Sequence, residues 1–151
     1  MCAVVLRRVA ESDLVDLLPL VHAYCEFNGV ARTDKELRMI SRALIADPDD
    51  RGVQILARDG DDRAIGFATL VWTWATWAGG RIGIMGDLFV AAPERCSGVG
   101  RQLIEACQRE CRRVDAQGFM WTTAKDNIPA RALYASVGAR SREWVDYWLD
   151  S

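Results

Sequence analysis

The sequence predicts an α/β fold in which a mixed sheet carries helices on both faces, in one domain spanning residues 1–151. Three observations lead there. The periodicities along the chain run in the order β-α-α-β-β-β-α-β-α-β, which cannot be layered as all-helix or all-strand. The stretch from Ala64 to about Trp74 is apolar on both faces, with Ile65, Phe67 and Val71 against Ala68, Leu70 and Trp72. Such a strand belongs inside a covered sheet. The link between Val90 and Gly118 is long and helical, which implies parallel pairing through a right-handed βαβ unit.

In chain order, Val4 to Arg8 reads as a short strand ending at Glu11–Ser12–Asp13. Ser12 is the expected N-cap of a helix from about residue 13 to 26, and Leu14, Leu17, Leu18, Val21 and Cys25 form its apolar stripe. Pro19 either kinks that helix or separates its first turn. Asn28–Gly29 breaks the chain. Thr33-x-x-Glu36 then makes a capping box for a second helix to about Ala46. Gly52 to Ala57 is a strand, Asp59–Gly60–Asp61–Asp62 a hairpin turn, and Arg81 to Val90 a strand after Gly79–Gly80. Val99, Leu103, Cys107, Cys111 and Val114 mark a long helix, and Gly118 to Thr123 a short buried strand. A last helix starts at Asp126–Pro129 and stops at Gly138. The tail from Ala139 to Asp150 has room for one or two strands.

Half of the residues are apolar and about a quarter charged, the mix of an ordered globule. A net charge of -2 gives no general attraction to nucleic acid or anionic membrane, and no basic-aromatic repeat is present. No run of about 18 apolar residues could span a bilayer. Five cysteines without a CxxC pair fit a reducing, cytoplasmic setting, with Cys107 and Cys111 as small core residues. A single histidine, His22, and the lack of CxxC or HExxH argue against a protein-built metal site.

The informative stretch is Gly86 to Ile104. A buried strand holding Asp87 ends near Pro93, a turn carries Arg95, and Gly98 and Gly100 open a helix. The N–H groups of a helix start bind anions, and glycines let a phosphate approach the backbone. The spacing Arg95-x-x-Gly98-x-Gly100 is neither the GxxxxGK[ST] loop nor the dinucleotide fingerprint.

That run resembles the acyl-CoA pyrophosphate loop, R/Q-x-x-G-x-G/A, of the GCN5-related N-acetyltransferase (GNAT) superfamily. Asp87–Leu88–Phe89–Val90 with Pro93–Glu94 resembles its strand-to-loop phrase. Asn127-x-x-Ala130-x-x-Leu133–Tyr134-x-x-x-Gly138–Ala139 resembles its second phrase. The group of small amine and polyamine acetyltransferases is the most similar, and the element order matches over essentially the whole chain. The resemblance implies a sheet splayed at its middle, acetyl-CoA as cosubstrate, and direct attack by an amine in a ternary complex. It implies cofactor contacts from Arg95, Cys96, Ser97, Gly98, Val99, Gly100 and Arg101 to the pyrophosphate. Leu88, Phe89, Val90 and Asn127 would hold the pantetheine arm, with the Leu88 N–H polarising the acetyl carbonyl. Cys96 and Ser97 stand where many relatives carry Arg or Gly. Tyr134 corresponds to the tyrosine that protonates the departing thiolate.

No carboxylate transfers onto Gly86, where some polyamine enzymes carry Glu. Asp87 and Glu26 are therefore the candidates for drawing the ammonium or relaying its proton, with a water chain as the alternative. The acceptor is expected to be a small-molecule amine, and Trp72 and Trp74 are expected beside it; a protein lysine or N-terminus is the second option. A non-catalytic acyl-CoA sensor on the same fold is a further alternative. Trp144 and Trp148 share one face of the last strand and Val145, Tyr147 and Leu149 the other. In the family that strand often lies at a dimer interface, so a homodimer through it is expected.

Overall fold

The computed structural model describes residues 3–151. Its sheet has the order β1 (Val5–Arg8), β2 (Gly52–Arg58), β3 (Ala64–Ala75), β4 (Gly80–Val90) and β5 (Phe119–Met120). The first four strands pair antiparallel, and β5 joins β4 in parallel. The helices are α1 (Leu14–Phe27), α2 (Asp34–Ala46), α3 (Val99–Arg113) and α4 (Ile128–Ser136).

Alternation along the strands sorts the side chains between two cores. Val53, Ile55, Ala68 and Leu70 face α3 and pack on Val99, Leu103 and Cys107. Leu56 and Phe67 face α1 and pack on Leu14, Leu17 and Val21. Cys107 and Cys111 are core residues as expected, and burial pushes their thiols up to about 12 and about 11. They are protonated and inert at neutral pH.

The N-terminal helix begins differently from expectation. Ser12 lies in a single 3-10 turn, Glu11–Asp13, and does not cap α1. Asp13 takes the structural role: its carboxylate accepts from the Ala10 N–H at 2.9 Å, from Arg7 at 2.8 Å and from Arg58 at 2.9 Å. Burial works against that charge, and these donors outweigh it, holding the carboxyl below its usual range. Pro19 sits inside α1 without dividing it. The Thr33–Glu36 capping box forms as expected, and Asn127 caps α4 through the Ala130 N–H.

The segment after α4 departs from expectation. Residues 139–151 run without pairing to any strand, so the strand that would follow α4 is not formed within the single chain. A strand is defined by its ladder of hydrogen bonds, and among the described residues none forms along that segment.

Arg58 is 5% exposed and joins Asp13 to Asp16, both at 2.9 Å. Removing one member of such a cluster strands the others in low dielectric. Arg58→Leu is expected to lower unfolding free energy by about 3 kcal/mol, and Asp16→Asn, at the exposed rim, by at most about 1 kcal/mol. Urea denaturation of both variants checks this; equal losses would show that Arg58 acts through packing alone.

Candidate active site

The site is built on an irregularity between β3 and β4. Thr69 pairs with Asp87, yet Leu70 pairs with Met85, which leaves Gly86 as the extra residue of a β-bulge. An uninterrupted strand would put residues 85 and 87 on one face. The bulge instead turns Met85 to the α3 core and Asp87 toward α1. A Cβ at Gly86 would meet nothing within 4 Å, so packing does not demand the glycine.

Facing Asp87 from α1 is Tyr24, a residue the sequence analysis passed over. Its hydroxyl donates to the Gly86 carbonyl at 3.1 Å, and its ring stands edge-on to Phe67 and Phe89 at 5.9 and 6.3 Å. A tyrosine on an apolar helix stripe gives no signal beyond core packing; only the folded sheet sets it against Asp87. Burial pushes the Asp87 carboxyl above the usual carboxylate range, and the neighbouring Thr69 and Tyr24 hydroxyls offset part of that rise. Thr69 in turn accepts from Gln54 at 3.1 Å. Burial first, then the Asp87 charge, pushes the Tyr24 phenol far up, and Tyr134 lies near enough to add to the effect.

The gap beside β4 follows from register. Ala91 donates to Ile65 across the ladder at 2.9 Å, so alternate residues back along β4 also point their N–H groups at β3. The amides of Leu88 and Val90 therefore face the opposite side. There β5 pairs only as far as Ile84–Met120 and then leaves. Phe89 is a correction: its amide belongs to the β3 ladder, and its ring walls the α1 side of the site.

The turn after β4 leaves a run of backbone amides unpartnered, a geometry that suits an anion. Cys96 and Gly98 have φ of 65° and 88°, left-handed values that aim successive amides to one side. The N–H groups of residues 96–101, which include Ser97 and Val99, meet no acceptor among the described residues. Gly100 serves packing, since a Cβ there would lie 2.9 Å from Leu133 on α4. Arg101 is committed elsewhere, to the Ser136 hydroxyl at 2.9 Å and carbonyl at 3.2 Å. Arg95 turns away from the free amides: its Nε donates to the Val90 carbonyl at 3.1 Å, and its guanidinium covers Phe89 and Phe27.

Across the gap, Tyr134 is half-buried, edge-on to Trp121 at 5.1 Å, with Thr123 beside its hydroxyl. Burial raises its phenol, so it carries its proton at neutral pH. Asn127 spends its side chain on the Ala130 N–H at 3.4 Å and Thr123 at 3.3 Å, so capping is the role it fills here. On the α1 side, an open cleft of about 390 Å³ is lined by Leu20, Ala23, Glu26, Phe27, Phe89, Ala91, Ala92 and Arg95. Trp72 and Trp74 do not wall it. They lie on the α3 face of β3, where the Trp72 indole donates to Pro48 at 2.9 Å and Trp74 stacks with Arg81.

A turn of free amides at a helix start, a strand edge left open beside it and a protonated tyrosine nearby are the parts that an acyl-CoA-using transferase needs. The chain belongs to the Acetyltransferase (GNAT) family, whose model matches residues 17–139. It is an acetyltransferase, with acetyl-CoA as its cosubstrate. It is 29% identical to the uncharacterized N-acetyltransferase YhfO of Bacillus subtilis (strain 168), over 88% of this chain and 87% of that one. It is 31% identical to the D-amino-acid N-acetyltransferase HPA3 of Saccharomyces cerevisiae (strain ATCC 204508 / S288c), over 77% and 74% of the two chains. Among solved structures, a probable acetyltransferase superposes with TM-score 0.83 at 26% identity, over 97% of each chain. The aminoglycoside acetyltransferase AAC(6')-Iy superposes with TM-score 0.86 at 18% identity over 99% of each, a likeness of fold.

The raised Asp87 carboxyl has a measurable consequence. Between the ordinary aspartate value and its raised one, the folded protein holds a proton that the unfolded chain has lost, so this group's contribution falls as pH rises. Asp87→Asn removes that dependence. The variant is expected to gain stability over the parent at about pH 8 relative to about pH 4.5, in paired urea titrations. A pH-independent difference would show that Asp87 does not titrate abnormally.

Proposed function

We propose that this chain transfers the acetyl group of acetyl-CoA to the primary amine of a small-molecule acceptor, by direct attack in a ternary complex. The observation that carries this reading is the bulge at Gly86. It sets Asp87 and Tyr24 on the acceptor side while leaving the Leu88 N–H directed into the gap. In this reading the amides of residues 96–101 hold the pyrophosphate, and Leu88 and Val90 pair with the pantetheine arm. Arg95, which lines the cleft, serves the acceptor side in this reading.

The chemistry then divides among the chain's own groups. Glu26 at the cleft wall draws in a cationic amine. Asp87, desolvated and less acidic than usual, takes a proton from the ammonium. The free amine attacks the thioester carbon, whose oxygen is held by the Leu88 N–H as negative charge develops there. The carbon–sulfur bond breaks, the departing thiolate takes the Tyr134 proton, and the proton shed by the attacking nitrogen as the amide forms restores the Tyr134 phenol. Tyr24 is a positioning residue, fixing the bulge through the Gly86 carbonyl.

The cleft points to the acceptor class. Its walls are apolar, with one carboxylate, Glu26, and one guanidinium, Arg95. That pattern suits an amine of amino-acid size that also carries an acidic group and an apolar side chain. The name of the yeast relative, a D-amino-acid N-acetyltransferase, supports the same reading.

Thiol release from acetyl-CoA tests it, with D- and L-amino acids, alkylamines, polyamines and a lysine peptide as acceptors. Apolar amino acids are expected to give the highest kcat/KM. Calorimetry showing no acetyl-CoA binding at about 1 mM would overturn the assignment of the turn's amides, and turnover confined to the peptide would overturn the acceptor class.

Tyr134→Phe is expected to lower kcat by about tenfold to a thousandfold with acetyl-CoA affinity preserved. Tyr24→Phe keeps the ring packing and loses the Gly86 bond; it should lower kcat by at least about tenfold without raising the cofactor Kd. Unchanged turnover in either variant returns that tyrosine to packing alone.

A further inference from the structure

Three polar side chains cross the layer beneath α1 in a single row. Gln54 of β2 pairs with Thr69 of β3, and Thr69 with Asp87 of β4, so the three stand side by side on one face of the sheet. The bulge at Gly86 begins one residue beyond this row, which keeps Asp87 in register with Thr69. The neighbours on that face are apolar: Leu56, Phe67 and Phe89, packed with Leu17 and Val21. Gln54 and Thr69 are 6% and 5% exposed. Polar groups so placed destabilise a layer that apolar side chains would fill, and the Gln54 Oε1 has no partner among the described residues.

The hydrogen bonds of the row run in one direction. The Gln54 Nε2 donates to the Thr69 Oγ1 at 3.1 Å. A threonine hydroxyl has one proton to give, and with its oxygen accepting from Gln54 that proton is left for another acceptor. Asp87 is that acceptor, and the bond favours its charged form. From α1, Tyr24 is the titratable group that faces the carboxylate; Cys25 and, from α4, Tyr134 act on Tyr24 in turn. No cation is paired with Asp87 among the described residues, so these hydroxyls are what opposes its burial. Bonds aligned in series polarise one another, which makes the remote amide count at the carboxylate.

We propose that Gln54 and Thr69 are positioning residues for acetyl transfer, Gln54 orienting the Thr69 hydroxyl and the hydroxyl holding the Asp87 carboxylate as acceptor of the substrate proton. This rests on the reading of Asp87 as the base. Gln54 works through Thr69 alone, and the two together explain why the layer keeps a polar row.

Two measurements on the full chain test it: carboxyl-carbon NMR of protein labelled with carbon-13 aspartate, without substrate, and pH profiles of kcat/KM with the amine that leads the thiol-release panel. Thr69→Val should raise the pH midpoint of the Asp87 carboxyl, and the acid limb of kcat/KM with it, by about one pH unit. Gln54→Met should move both the same way by less, since the hydroxyl can still turn to Asp87. Adding Gln54→Met to Thr69→Val should move them no further, because one residue acts through the other. Thr69→Ser should restore the parent midpoint. The double variant strands no polar partner, so its urea midpoint should not fall below that of Thr69→Val. Should Thr69→Val fail to fold, the double variant carries the comparison with the parent.

An Asp87 midpoint that none of these substitutions moves overturns the proposal and leaves the acetyl-transfer reading standing. Shifts that add in the double variant overturn the action of Gln54 through Thr69. A carboxyl that moves while the acid limb stays in place overturns Asp87 as the base, and the positioning role falls with it. Absence of turnover with every amine of the panel overturns both together.

Discussion

The bulge at Gly86 is the constraint on which the site depends. One extra residue in β4 reverses the alternation of the strand, so that Met85 still fills the α3 core while Asp87 looks toward α1. The Tyr24 hydroxyl holds this irregularity by bonding the Gly86 carbonyl, and Phe67 and Phe89 fix the ring. Asp87 is thereby desolvated with no cation paired to it among the described residues. Its raised carboxyl is a cost in stability that the two apolar layers around it sustain.

The second constraint is the divergence of β4 and β5. Two paired residues hold β5, and past Ile84 the backbone of β4 turns alternate amides into an open gap. Gly98 gives the turn its left-handed residue at the start of α3, while Gly100 lets α4 approach α3 through Leu133. The two glycines of one motif thus answer different needs: one a left-handed φ, the other a close approach of helices. Tyr134 rides on α4, so its position relative to the gap depends on that second contact.

Most of the fold was legible because it rests on local pattern. The Thr33–Glu36 capping box, the helical stripe from Val99 to Cys111 and the two-faced apolar run of β3 each specify an element from neighbouring residues. The class of the protein was legible for a related reason: the family's loop motif, Arg95-x-x-Gly98-x-Gly100, is written in nearly consecutive residues. Tyr24 was not legible, because its partner lies 62 residues away and a bulge decides which way that partner faces. Trp72 and Trp74 misled in the same way. Their place in sequence suggested the site, whereas strand parity put them on the opposite face of the sheet.

The sequence by itself determined the order of elements as far as α4, the turn of glycines that opens α3 and the family, since these follow from residue types at short spacing. The tertiary structure alone decided where Asp87 and Phe89 point, what Arg101 and Asn127 bind, and which tryptophans are exposed. Those outcomes depend on register and on contacts between distant segments, and a one-residue shift in register reverses every side chain of a strand.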